Sequence, residues 1–310
     1  MPSQRTVAVI GSLNIDFVTR TSRLPQPGET LQAISFDTGF GGKGANQAVG
    51  AARLAGEDVQ VRMIGAVGDD GFGNDYFEAL GKEGIDASGV RRLQGEKTGV
   101  TNIIVDESGE NRILFVANAN MKFGDSENLV TGQEGDVAVF QLEIPLNTVL
   151  HNMRKAKDAA KHVIFNPAPA IKLPEDAYTN MDTLIMNETE SAILAGHAEA
   201  NSDRNTLLEL CKTFLAKGVQ EAVVITLGGE GLVYATVSGA SGHVGAHKVK
   251  VVDTTAAGDT FVGGYAVQRA RHVSGDFDYK RALEFATLAA SKTVEKPGAM
   301  AAIPYLHELQ

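Results

Sequence analysis

Several short stretches carry side chains able to do chemistry. The strongest is Asp253-Thr254-Thr255-Ala256-Ala257-Gly258-Asp259-Thr260-Phe261. An apolar run ends at Val252, and a helical pattern begins near Ala257. The N–H groups that open a helix bind anions. Ala256, Ala257 and Gly258 are small enough to let a phosphate approach them. Asp259 then falls in the first helical turn, beside that anion and placed to take a proton from an attacking hydroxyl. The helix macrodipole alone accounts for an acidic residue there. It does not account for the small residues before it.

A second stretch, Gly39-Phe40-Gly41-Gly42-Lys43-Gly44-Ala45-Asn46-Gln47-Ala48, satisfies G-x-G-x-x-G over Gly39–Gly44. It does not follow the first strand pattern, so a dinucleotide fingerprint fits poorly. Glycine after Lys43 rules out a Walker A loop. One reading is a tight strand-to-helix turn. The other is a backbone that comes close to a ligand, with Lys43 and Asn46 aimed at its polar groups. Four glycines and two long polar side chains favour the second.

The remaining candidates stand at strand ends. Asn14 and Asp16 alternate with Leu13 and Ile15, so they share one face. They are either the wet face of an edge strand or a pair for vicinal sugar hydroxyls. Asn187-Glu188-Thr189-Glu190 has capping-box spacing. It also follows a strand, where open α/β sheets bind ligands, and Glu190 there suits Mg²⁺ held through water. Thr226-Leu227-Gly228-Gly229-Glu230-Gly231 reads equally as a hairpin and as a flat backbone surface for a nucleotide. Glu143 closes the strand end Phe140–Pro145. His243 and His247 fall in a turn and strand, so they read as exposed rather than as metal ligands. There is no HExxH, GxSxG or CxxC.

These residues need elements to position them. Val7–Ile10, Val61–Ile64, Val137–Phe140, Val163–Phe165, Leu184–Met186 and Ala222–Thr226 read as buried strands. Ala45–Ala55, Phe72–Glu83, Thr148–Lys161, Arg204–Lys217, Gly258–Arg271 and Tyr279–Val294 read as helices. The alternation predicts an α/β fold with a largely parallel sheet. Asn14–Phe36 and Thr98–Ala117 break the rhythm with strands joined by turns, such as 106–110. They read as a small β appendage inserted twice, built like a lid or an interface. Gly231–Thr236 and Gly245–Val252 read as strands around the turn Val237–His243, and Lys296–Ala299 as a loop.

Composition limits the setting. The chain has 310 residues, a formal net charge of −10 and one cysteine, Cys211. A lone cysteine makes no disulfide framework, so a reducing compartment is expected. No apolar run approaches the roughly 18 residues of a membrane span, and the N-terminus lacks a signal-peptide layout. The acidic balance argues against nucleic acid and anionic membranes as partners. Glycine is abundant, at 34 residues. Gly39, Gly41, Gly42, Gly44, Gly228, Gly229, Gly231, Gly258 and Gly298 read as points where a Cβ would obstruct a ligand.

Taken together, Gly41–Ala48 and Asp253–Phe261, with Asn166-Pro167-Ala168-Pro169-Ala170 and Gln141–Pro145, resemble the ribokinase-like carbohydrate kinase family over essentially the whole chain. The resemblance implies a Rossmann-type three-layer core: a central, mostly parallel sheet flanked by helices. It implies one kinase domain over 1–310, with a β-sheet lid from segments of about 14–40 and 95–120. It further implies ATP-dependent phosphorylation of D-ribose at O5; the alternatives are adenosine kinase, fructokinase or deoxyribokinase activity. Asn14, Asp16, Gly42, Lys43, Gly44, Ala45, Asn46, Glu143 and Asp259 would contact the sugar. Asn187, Thr226 to Gly231 (with Leu227, Gly228, Gly229 and Glu230), Gly258, Asp259 and Thr287 would contact ATP. Ala256, Ala257 and Gly258 would form an anion hole, with Asp259 the base. Glu190, with Asn187, would organise Mg²⁺. Asp253, Thr255, Thr293, Lys296, Gly298 and Ala302 match a K⁺ site. The resemblance also implies a homodimer through the lid. A cytoplasmic location is expected, with nuclear presence possible in a eukaryote. Two readings from other classes, a nicotinamide dehydrogenase and a non-catalytic sugar-binding regulator, are disfavoured by Asp253–Asp259.

Overall fold

The computed structural model describes residues 5–108, 110–132, 135–200 and 203–310. Gly109, in the turn expected at 106–110, lies outside them. In chain order the elements are β1 (Arg5–Ile10), β2 (Asn14–Arg20), β3 (Ser35–Gly41), α1 (Lys43–Ala55), β4 (Val59–Gly68), α2 (Gly71–Lys82), β5 (Asp86–Leu93), β6 (Gly99–Val105) and β7 (Asn111–Val116). Then come β8 (Val137–Phe140), α3 (Leu146–Asp158), β9 (His162–Phe165), β10 (Thr183–Asn187), α4 (Glu188–Ala195), α5 (Arg204–Ala216) and β11 (Ala222–Thr226). The chain closes with β12 (Leu232–Thr236), β13 (Ser241–Val244), α6 (Ala257–Arg271) and α7 (Tyr279–Thr293).

Nine strands form one sheet in the order β13-β12-β11-β10-β9-β8-β1-β4-β5. It is parallel except at β11-β12 and β12-β13. Its strands are apolar on both faces because helices cover both. In β1, Val7 and Val9 face the layer of α1, α6 and α7, whereas Ala8 and Ile10 face that of α3 and α5. The order reverses at β1, which lies between β4 and β8. Ligands in open α/β sheets bind at such a switch point, beyond the strands' carboxyl ends.

The two segments that broke the sequence rhythm form a second sheet, β3-β2-β6-β7. It is mixed: β2 pairs β6 in parallel and β3 antiparallel. Strand β2 is therefore interior, which overturns the edge-strand reading of Asn14 and Asp16. The expected strand Gly245–Val252 does not form; β13 ends at Val244, and the turn before it is shorter than 237–243. Alternating valines made that segment look extended, but a strand also needs a partner for its hydrogen bonds.

Helices α1 and α6 cross almost backbone to backbone. A Cβ at Gly263 would come within 2.6 Å of Ala51 N and 2.7 Å of Gln47 O. Gly50 faces Thr260 across the same crossing. This close approach brings the start of α1 against the start of α6.

Candidate active site

Asp259 is buried in the first turn of α6. Asn46 Nδ2 donates to its Oδ2 at 3.1 Å, and Gln47 Nε2 donates to its Oδ1 at 3.0 Å. The turn before it is unusual. Ala256, the N-cap, has φ of 60°, a left-handed conformation that non-glycine residues rarely adopt. The Ala257 N–H donates to Thr254 O at 3.3 Å, so that amide is partly committed. The amides of Ala256, Gly258 and Asp259 have no backbone acceptor among the described residues. Nothing lies within 4 Å of where a Gly258 Cβ would stand, so the space above the helix start is open. This is an anion-binding geometry beside a carboxylate.

Across the cleft stands Asp16 of β2. Burial pushes its carboxyl up to about 6; a hydrogen bond from Thr101 opposes this, and the Glu143 and Asp259 charges add to it. A Cβ at Gly41 would collide with the Asp16 carboxylate, so glycine is required there by the protein itself. Glu143 Oε2 accepts from Ser12 Oγ at 2.6 Å, from the Lys43 N–H at 2.9 Å and from Asn14 Nδ2 at 3.4 Å. Burial works against the Lys43 ammonium, but Asp259, Glu143 and Glu190 surround it and hold it above its ordinary value. One cation thus faces three carboxylates that converge on the cleft. Asn46 Oδ1 is buried without a partner, a free acceptor in the same place. Gly44 and Ala45 are buried beneath these groups in α1.

The glycines of this turn correct an expectation. A Cβ at Gly42 or Gly44 would strike Asn14 N at 2.8 Å or Ser12 N at 2.5 Å. Glycine at these two positions is thus explained by the packing of the α1 turn on the loop after β1. Gly39, Gly228, Gly229 and Gly258 do face open space.

The remaining expected residues lie around the same strand ends. Asn187 and Glu190 form the full capping box: Asn187 Oδ1 accepts from Glu190 N–H, and Glu190 Oε2 accepts from Asn187 N–H, both at 2.8 Å. Burial raises the Glu190 carboxyl, and the facing Lys43 opposes that rise. Thr226 to Gly231 make the β11-β12 connection, with Gly228–Glu230 as a single 3₁₀ turn and Leu227 buried. Glu230 pairs with Arg204 at 2.9 Å. Thr287 is buried in α7, its hydroxyl donating to Leu283 O at 2.8 Å.

Asp253 ties two loops together. Its Oδ1 accepts from the Thr255 N–H and hydroxyl at 2.9 and 2.6 Å, and its Oδ2 from the Gly298 N–H at 2.9 Å. Thr293 turns its hydroxyl to Thr260, and Lys296 pairs with Glu308 at 2.5 Å. Ala302 is fully buried. His243 and His247 are exposed, as expected. His162, Asp182 and Glu221 cluster at the far end of the strands, unforeseen in the sequence. Arg269 Nε donates to His162 Nδ1 at 3.0 Å, and Lys157 pairs with Asp182. The chain's own cations fill that cluster.

Sequence reasoning also missed Gln47, Gln141, Asn166, Ser12 and Asn120. Asn120 Oδ1 accepts from Leu13 N–H at 3.0 Å, and its Nδ2 donates to Leu13 O at 3.1 Å and to Asn14 Oδ1 at 2.8 Å. This turns the Asn14 Nδ2 toward Glu143. Only their polar type, four amides and a hydroxyl, could have flagged such residues.

A doubly flanked α/β sheet, a small second sheet across its carboxyl edge, and a carboxylate beside uncommitted helix-start amides define the class of a phosphoryl-transfer enzyme acting on a polyol. The sequence matches the pfkB family carbohydrate kinase model over residues 4–306. It is 40% identical to a ribokinase of Schizosaccharomyces pombe, covering 98% of this chain and 96% of that one. It is 34% identical to a deoxyribokinase of Salmonella typhi over 97% and 96% of the two chains. The ribokinase of Arabidopsis thaliana, solved with ribose and ATP, superposes with a TM-score of 0.89 at 29% identity, covering 98% and 97%. The chain belongs to the pfkB family of carbohydrate kinases.

Proposed function

We propose that this kinase transfers the γ-phosphoryl group of ATP to O5 of D-ribose, giving ribose 5-phosphate and ADP. The observation that carries this reading is Asp259, buried beside the open amides of Ala256 and Gly258 and facing the charged groups of Asp16 and Lys43. Asp16, Asn14, Lys43, Asn46 and Glu143 hold the sugar hydroxyls. O5 attacks Pγ in line, the bond from Pγ to the β,γ-bridging oxygen breaks, and the O5 proton passes to Asp259. Positioning and charge neutralisation do most of the work in such transfers. The helix-start amides supply part of that neutralisation. The β11-β12 turn, open above Gly228 and Gly229, supports a flat face for the nucleotide, and Thr287 of α7 is proposed as a further contact.

Two cations fit the donor sets. Glu190 keeps Oε1 uncommitted and faces Lys43 and Asp259, which suits Mg²⁺ held through water near the phosphates. Asp253 and backbone oxygens at Thr255, Thr293, Lys296, Gly298 and Ala302 would offer an oxygen-only set, which suits K⁺. There the cation would add positive charge beside the helix start. The small sheet acts as the lid. It carries exposed Ile34, Phe36, Ile113, Leu114, Phe115 and Val116, which supports pairing with a second copy of the chain. An apolar edge strand bare on both faces is otherwise an aggregation hazard. No helix among the described residues is long and apolar enough to cross a membrane.

Deoxyribose is the second reading, because the deoxyribokinase relative matches nearly as much of the chain. ADP release measured with ATP, Mg²⁺ and K⁺ against ribose, deoxyribose, fructose and adenosine separates these. Ribose is expected to give the highest kcat/KM, with phosphate on C5. A better rate with any of the others overturns the assignment.

A further inference from the structure

Three buried amides stand behind the Asp259 carboxylate, and the reading above uses none of them. Gln47 Nε2 donates both to Asp259 Oδ1 and to Asn166 Oδ1, each at 3.0 Å. Gln47 Oε1 accepts from Gln141 Nε2 at 2.6 Å. Asn166 Nδ2 donates to the Ile185 carbonyl at 2.9 Å. Gln47 and Gln141 are wholly buried, and Asn166 nearly so. The chain of bonds runs from β10, through the ends of β9 and β8, to the base.

An amide donates at one end and accepts at the other, and the two ends are nearly the same shape. Shape alone lets Gln47 turn over and set Oε1 against Asp259, lone pair to lone pair. The Ile185 carbonyl prevents this, because a backbone carbonyl can only accept. It holds Asn166 Nδ2, so Asn166 Oδ1 must face Gln47. Gln47 must then offer Nε2, and that same group reaches Asp259. Gln141 satisfies the other end of Gln47.

We propose that Gln47 is the positioning residue of the catalytic base, its polarity set by Asn166 and supported by Gln141. This rests on the kinase reading of Asp259. Gln47 occupies Oδ1 and fixes the rotation of the carboxylate. Oδ2, whose one hydrogen bond among the described residues comes from Asn46, is then the oxygen that receives the O5 proton.

Gln47→Met keeps the shape and removes the donor. Hydrogen bonds to charged groups are worth about 1.5–3 kcal/mol, so kcat should fall roughly 10- to 100-fold. KM for ribose and ATP, and ribose affinity by calorimetry, should stay within about twofold. In an Asp259→Asn background, adding Gln47→Met should change kcat less than about twofold, because the proton acceptor that Gln47 positions is already gone. A folded Gln47→Met enzyme with wild-type kcat overturns the proposal, as does the same loss in both backgrounds. A structure of the wild-type enzyme with ribose and a non-hydrolysable ATP analogue tests it without a variant. O5 against Oδ2 supports the proposal, and O5 against Oδ1 overturns it. Wild-type enzyme that turns over ribose while Gln47→Met is indifferent rejects this inference alone. Wild-type enzyme with no ribose-dependent ADP release rejects both.

Discussion

Asp259 concentrates the chemistry at the residue scale. Asp259→Asn keeps the shape and removes the proton acceptor. Steady-state assay should find kcat lowered about 10²- to 10⁴-fold, the usual cost of losing a general base, with ribose KM little changed. Asp16 makes a different prediction. Its carboxyl is held near 6 in the folded chain against 3.8 unfolded, so the folded state binds that proton more tightly. Stability attributable to Asp16 therefore rises as pH falls from about 6 to about 4, and its ionised form costs of order 1–3 kcal/mol at neutral pH. Denaturant unfolding of Asp16→Asn should give a more stable protein than wild type at pH 8, a gain that vanishes near pH 4. The same variant should bind ribose poorly. A fall in stability at pH 8 would refute the account of Asp16 as a strained functional carboxylate. Asp259 was legible in the sequence because the small residues proposed as its anion hole precede it in the same turn. Gln47 was not, because its partners Asn166 and Asp259 lie 119 and 212 positions away.

At the element scale, the crossing of α1 and α6 sets the distance between Asn46, Gln47 and Asp259. Gly263→Val would drive its side chain into Ala51 N and Gln47 O. Overpacking of this kind costs about 1–3 kcal/mol. Unfolding and kinetics measured together should find lower stability and a lower kcat, although no ligand-facing atom has changed. An unchanged kcat would separate the crossing from the site. The parallel core was readable in advance because strands buried on both faces are continuous apolar runs. The small sheet was readable only as a departure from that rhythm. Its pairing, and the interior place of β2, depended on contacts between segments about 85 residues apart, such as Asn14 with Gly99. Strand Asp86–Leu93 escaped notice because its charged and small residues carry no apolar run.

At the scale of the whole molecule, the bare apolar face of the small sheet sets the expectation. Sedimentation of the wild-type chain at micromolar concentration should give a dimer. Leu114→Lys, at a residue 67% exposed, should give a folded monomer, because a charge brought into an apolar contact has no partner there. Wild type sedimenting as a monomer would remove the lid pairing.

By itself the sequence determined the layered α/β plan and the small-residue helix start with its acidic first turn. Each follows from neighbours a few positions apart, where period, small size and charge act directly. Only the tertiary structure decided which glycines face open space and which admit the chain itself. It alone brought three distant amides behind Asp259 and set one lysine among three carboxylates. Those outcomes depend on how strand ends and helix starts meet in space, and no local pattern of residues encodes that meeting.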